Sequence, residues 1–165
     1  MKKPHFHVND FTAGDSLGYL LRRTHNQMLR RAEQSIHLED LTFTQWIVLV
    51  QMREGMVTTG ADICRNLNHD SGATTRLLDQ LEARGYIERH RCSQDRRISK
   101  LTLTPQGRAM AKALVPRVVD FWNDITDDFS HAEIVGLIDL LKRLLTALER
   151  EDAPTQQSAA KGKVI

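Results

Sequence analysis

Ser71, Gly72, Thr75 and Arg76 fall within six residues, and twenty positions further on Arg96 and Arg97 sit in a short polar stretch. These residue types suit a nucleic-acid ligand. Short hydroxyls bond phosphate oxygens or touch a thymine methyl, and a guanidinium fork takes a guanine edge bidentately or enters the negative minor groove. The sequence has no glycine-rich phosphate loop, no clustered set of metal ligands and no nucleophile beside a plausible base. The expectation is a binding protein with no catalytic residue, metal or cofactor.

Two adjoining elements must position those side chains. Residues 70–84 read as a helix, with Asp70 as N-cap, Ala73, Leu77, Leu78 and Leu81 as a buried stripe at three-four spacing, and Gly85 able to take the left-handed conformation that ends it. The hydroxyls and Arg76 lie at or near its first turn, on the opposite face. Residues 86–92 and 98–104 then read as two strands joined by Ser93-Gln94-Asp95-Arg96-Arg97, with Leu101 and Leu103 alternating against Lys100 and Thr102. From Arg84 to Thr104 six basic residues face two acidic ones, a local excess of +4 against +2 for the whole chain. Phosphate contact and counterion release require such local positive potential. A helix followed by a basic-tipped hairpin is a winged helix-turn-helix. The fold class is therefore mainly α with a small β-hairpin wing.

The rest of the chain supports that reading head. Residues 1–13 form an arm, frayed or docked on a partner, in which His5 and His7 read as a polar terminus rather than a metal pair. From Asp15 a helix of some twenty residues runs with Leu17, Leu20, Leu21, Met28, Leu29 and Ala32 on one face and Arg22, Arg23, Arg30 and Arg31 on the other. Thr42 to Gln45 has capping-box spacing and starts a second helix through Trp46 and Leu49. Thr59 or Gly60 starts a short third, and Asn66, Asn68 and His69 turn into the 70–84 helix. Thr104-Pro105 opens a further helix through Ile125, which Pro116 should bend or split. Ser130 and Glu133 form another capping box ahead of Ile134, Leu137, Ile138, Leu141, Leu144, Leu145 and Leu148. That stripe is wider than so small a core needs, and a second copy of the chain is the natural cover. Residues 151–165 lack an apolar face and should be disordered. The 165 residues hold two cysteines, no apolar run long enough to span a membrane and no signal-peptide core, so a cytoplasmic location is expected.

The runs Leu78-Asp79-Gln80-Leu81-Glu82-Ala83-Arg84-Gly85-Tyr86-Ile87-Glu88-Arg89, Asp95-Arg96-Arg97 and Leu101-Thr102-Leu103-Thr104-Pro105-Gln106-Gly107 resemble the signature of the multiple antibiotic resistance regulator (MarR) family, most closely its SlyA-like members. The resemblance covers roughly residues 15–150. It implies a winged-helix domain (14–150) between the N-terminal arm (1–13) and the tail. Within the domain it implies dimerisation helices at 14–37 and 104–150, and a DNA-binding lobe at 42–103 with recognition helix 70–84 and wing 86–104. It further implies a homodimeric transcription regulator, most commonly a repressor, that binds an inverted-repeat operator in double-stranded DNA and responds to a small aromatic or phenolic ligand. Arg76 would contact base edges, Ser71, Thr74 and Thr75 phosphates or thymine methyls, and Arg89, Arg96 and Arg97 the DNA from the wing, with Asp95 structuring the wing loop. Arg22, Arg23, His25, Met28 and Trp46 are candidates to line a ligand cleft. Two alternatives stay open: a winged-helix protein-interaction module, and a redox-sensing regulator acting through Cys92, with Cys64 the less reactive thiol.

Overall fold

A computed structural model describes residues 4–35, 41–91 and 99–151. After a single 3-10 turn at Val8–Asp10, the helices and strands run α1 (Leu17–Ser35), α2 (Phe43–Arg53), α3 (Gly60–Leu67), α4 (Ser71–Ala83), β1 (Ile87–Arg91), β2 (Ser99–Leu103), α5 (Pro105–Ala113), α6 (Val115–Ile125) and α7 (His131–Glu151). The chain divides into two units, Met1–Phe121 and Trp122–Ile165.

In the first unit α2, α3, α4, the two strands and α5 surround one core, built from Val48, Leu49, Ile63, Leu77, Leu78, Leu81, Ile87, Leu101 and Leu103 with Tyr86 and Ala111. Three local signals fix the helix starts. The Thr42 hydroxyl accepts from Gln45 N–H at 3.1 Å while Gln45 Oε1 accepts from Thr42 N–H at 3.0 Å. Thr59 and Asp62 form the same reciprocal box at α3. At α5 Thr104 is the cap and Pro105 the first helical residue, where its missing N–H costs nothing.

The strands pair antiparallel from Ile87 opposite Leu103 to Arg91 opposite Ser99. The segment before α3 extends this ladder: Leu101 N–H donates to Thr58 O at 2.9 Å, and Thr59 bridges Lys100. The wing base is thus tied to the start of α3. Two glycines fix the turn from α4 into the wing and the approach of α5. Gly85 has φ +72°, which a side chain would strain. A Cβ on Gly107 would overlap the Tyr86 carbonyl, so α5 can come this close only with glycine there.

Pro116 splits the helix rather than bending it: α5 ends at Ala113, with Leu114 as its C-cap. The Ala111 carbonyl near that end accepts instead from Trp46 Nε1 and from Arg53 NH1, each at 3.3 Å. A side-chain cap supplied by α2 therefore finishes the last turn of α5.

In the second unit Ser130 and Glu133 cap α7 reciprocally, Glu133 Oε2 accepting from Ser130 N–H at 2.8 Å and from its hydroxyl at 2.7 Å. Those bonds hold the Glu133 carboxyl below its usual range, the hydroxyl bond foremost. No described residue of α7 is buried. None of the described helices is long and apolar enough to cross a membrane.

Candidate nucleic-acid interface

α4 is capped at its start and held along both flanks, which leaves its first turn open. Asp70 Oδ1 accepts from Ala73 N–H at 2.8 Å. That bond is the main reason the carboxyl lies below its usual range, with the Gly72 N–H and the charge of Arg76 adding to it. On one flank Arg89 of β1 reaches Asp79 Oδ1 at 2.6 Å and Glu82 Oε2 at 3.3 Å. The first is an aligned hydrogen bond, the second an ionic contact without hydrogen-bond geometry. On the other flank buried Gln45 donates from Nε2 to Gln80 Oε1 at 2.6 Å, and its own Oε1 accepts from Arg84 NH1 at 3.3 Å.

Ser71, Thr75 and Arg76 are exposed on the open turn, as the sequence leads one to expect. The Thr75 hydroxyl donates to Ser71 O at 2.7 Å, so it offers a groove its methyl and lone pairs but not its proton. Two of the expected contacts need correction. Thr74 is 2 % exposed and its Oγ1 accepts from Cys64 Sγ at 3.2 Å, so it packs α4 on α3 and cannot reach DNA. Its spacing to Leu78 and Leu81 places it on the apolar stripe, a signal present in the sequence. Arg89, its side chain 26 % exposed, is committed to Asp79 and Glu82 and acts as a brace between wing and helix rather than a free phosphate ligand. Asp95, Arg96, Arg97 and Cys92 lie outside the described residues, as does the tail from 152 onward.

The five candidates for a ligand cleft do not form one in the way expected. Trp46 is 6 % exposed, stacks on Phe43 with ring centroids 5.5 Å apart and spends its N–H on Ala111 O. It is a core residue, because a flat ring with one donor fills the gap between α2 and α5. Arg22 and His25 are exposed on α1, Met28 is half-buried, and Arg23 bonds the Tyr19 hydroxyl at 3.2 Å. None of the five lines the cavity that does open beside α4. That space, about 330 Å³, is bounded by Thr59, Gly60, Ala61, Thr75, Leu78, Arg89, Ser99 and Leu101, where α3, α4 and the wing base meet. Its volume is at the lower end for a small-molecule site.

Sequence reading misses Gln45, Gln80, Asp79 and Glu82 as site residues. The two acids stand three apart, as a pair on one helix face does, but nothing local says that Arg89 meets them.

The model of the MarR family matches residues 39–98. The multiple antibiotic resistance protein MarR of Salmonella typhimurium is 32 % identical over 130 residues, which is 78 % of this chain and 90 % of the relative. Among solved structures, a mutant Escherichia coli MarR complexed with operator DNA is 29 % identical with a TM-score of 0.67, over 78 % of this chain and 93 % of that one. A structure of Bordetella bronchiseptica BpsR, concerning regulation of its DNA binding by 6-hydroxynicotinic acid, is 27 % identical with a TM-score of 0.68, over 78 % and 97 %.

Proposed function

The chain belongs to the MarR family, and from that membership we propose that it is a homodimeric transcription regulator that binds an inverted-repeat operator and in most settings represses. The observation that carries this reading is the open first turn of α4. Ser71, Thr75 and Arg76 are exposed together, while further along the helix Asp79, Gln80 and Glu82 are engaged by Arg89 and Gln45. Arg76 takes a base edge in the major groove, and Ser71 a phosphate. Thr75 contributes a thymine-methyl contact, and Arg96 and Arg97, which lie between the two strands in sequence, are assigned to the minor groove. The E. coli MarR complex with operator DNA supports the same use of this fold.

Response to a small aromatic acid fits the cavity at the wing base, whose lining includes Arg89. A carboxylate seated there competes with Asp79 and Glu82 for that side chain and loosens the brace between wing and α4. A coupling of about 1–3 kcal/mol would lower operator affinity roughly 5- to 150-fold. BpsR, whose DNA binding is regulated by 6-hydroxynicotinic acid, supports a ligand of this kind.

The test is selection of duplexes from a random pool by the purified chain, followed by anisotropy titration with and without 6-hydroxynicotinic acid as probe. The expected outcome is an inverted repeat, bound in a salt-dependent manner and released by the probe or a related aromatic acid. Recovery of no preferred sequence contradicts the reading.

A further inference from the structure

The geometry points to Gln45 as the positioning residue that sets the pitch of the recognition helix on the α1–α2 platform, through its bond to Gln80, and so fixes which operator spacing the protein reads. This rests on the homodimeric regulator reading above.

Gln45 is 3 % exposed, and both ends of its amide are bonded. Oε1 accepts from Thr42 N–H at 3.0 Å and from Arg84 NH1 at 3.3 Å, and Nε2 donates to Gln80 Oε1 at 2.6 Å. The Thr42 N–H requires an oxygen opposite it, which fixes the amide orientation and leaves the donor aimed at α4. The same end of α2 is tied to α1: Glu33 Oε1 accepts from Phe43 N–H at 2.9 Å. Hydrogen bonds therefore run from Glu33 on α1 through the first turn of α2 to Gln80 and Arg84, one turn apart at the end of α4. A helix N-terminus normally ends its orphan N–H groups on solvent or its own cap. Here one capping side chain also reaches 35 residues along the chain to the reading helix. The link crosses between elements in a part-buried polar site, where a missing partner cannot be replaced freely by water. Gln80 itself is exposed and supports no buried packing, so the bond can be cut without emptying the core.

Rotating α4 about its own axis, or tilting it, moves Arg76 relative to the two-fold axis of a dimer. In a paired reader both helices must fit grooves about one turn apart, so looseness in this link broadens the half-site spacing that is tolerated.

The test uses the full chain and the inverted-repeat duplex it selects, together with duplexes carrying one base pair added or removed at the centre. For the native chain each change of spacing is expected to weaken binding at least about tenfold. Gln80→Met keeps helix propensity and length but has no amide to accept the bond. Its spacing penalty should fall to about threefold or less, with the thermal transition still cooperative and lowered by no more than about ten degrees for the unpaired Gln45 donor. Gln80→Glu retains the acceptor for Gln45 Nε2 and should restore the native penalty whatever its charge does to overall affinity. A Gln80→Met profile identical to the native one, or a Gln80→Glu variant as permissive as Gln80→Met, overturns the inference. A native chain that selects no duplex at all overturns the regulator reading instead.

Discussion

α4 and α7 carry similar apolar periodicity and fare differently within one copy of the chain. α4 buries Thr74, Leu77, Leu78 and Leu81 and is braced by polar bonds on both flanks. α7 is longer, at 21 residues, and its stripe is wider, yet Leu137, Ile138, Leu141, Leu145 and Leu148 on that stripe all remain exposed. Periodicity states which face a helix will bury, not what covers it. The reading helix gets its cover from its own chain. The aliphatic face of α7, like Leu17, Leu20 and Leu21 on α1, has the composition of a surface that a second copy removes from water.

The strongest way to break that contrast is to charge the uncovered face. Ile138→Glu together with Leu145→Glu should leave the far-ultraviolet circular dichroism unchanged and convert the protein to a monomer by sedimentation. Operator affinity should fall by roughly a hundredfold or more. Unchanged mass would mean that α7 is not the covered face. On the other side of the contrast, Trp46→Ala removes a core ring and the cap on α5, and should cost about 3–5 kcal/mol in urea unfolding. Were Trp46 a cleft residue, that loss would be small and the ligand response would vanish instead. At the open turn, Arg76→Ala should cost about 1–3 kcal/mol of base discrimination, seen as relaxed preference at one base pair per half-site.

Two smaller effects sharpen the assignment within α4 and beside it. Thr74→Val should change operator affinity less than about twofold, as expected of a residue with no route to DNA, and shift stability by about 1 kcal/mol at most. Asp62 has its folded pKa lowered by the backbone bond from Thr58 first and the Thr59 hydroxyl second. Its contribution is therefore fully present above the unfolded value of about 3.9 and is lost as pH falls through the lower folded one. Asp62→Asn should flatten the acid limb of the stability profile below about pH 4 and leave the neutral region's slope unaltered.

Local signals make much of the fold legible. Asp70, Gly85, Thr42 with Gln45, Pro105, and Ser130 with Glu133 each act within four residues of where they sit, so spacing alone identifies them. Leu101 and Leu103 show the strand period for the same reason. What escapes such reading depends on partners far along the chain. The Arg89 brace spans ten residues, the Gln45 link 35 and the Trp46 cap on α5 65, and no period in the sequence encodes such meetings. Residue type alone, a basic side chain on a hairpin and an aromatic one near arginines, points Arg89 to DNA and Trp46 to a ligand. The tertiary bonds commit the Arg89 guanidinium to Asp79 and Glu82 and the Trp46 N–H to the Ala111 carbonyl.

The most direct measurement of whether paired chains read paired half-sites is the mass of the complex by sedimentation, using a selected inverted-repeat duplex and the same duplex with one half-site scrambled. Two chains on one intact duplex, with binding to the scrambled duplex weaker by about a hundredfold, is the predicted result. One chain per duplex, or equal affinity for both duplexes, would contradict it.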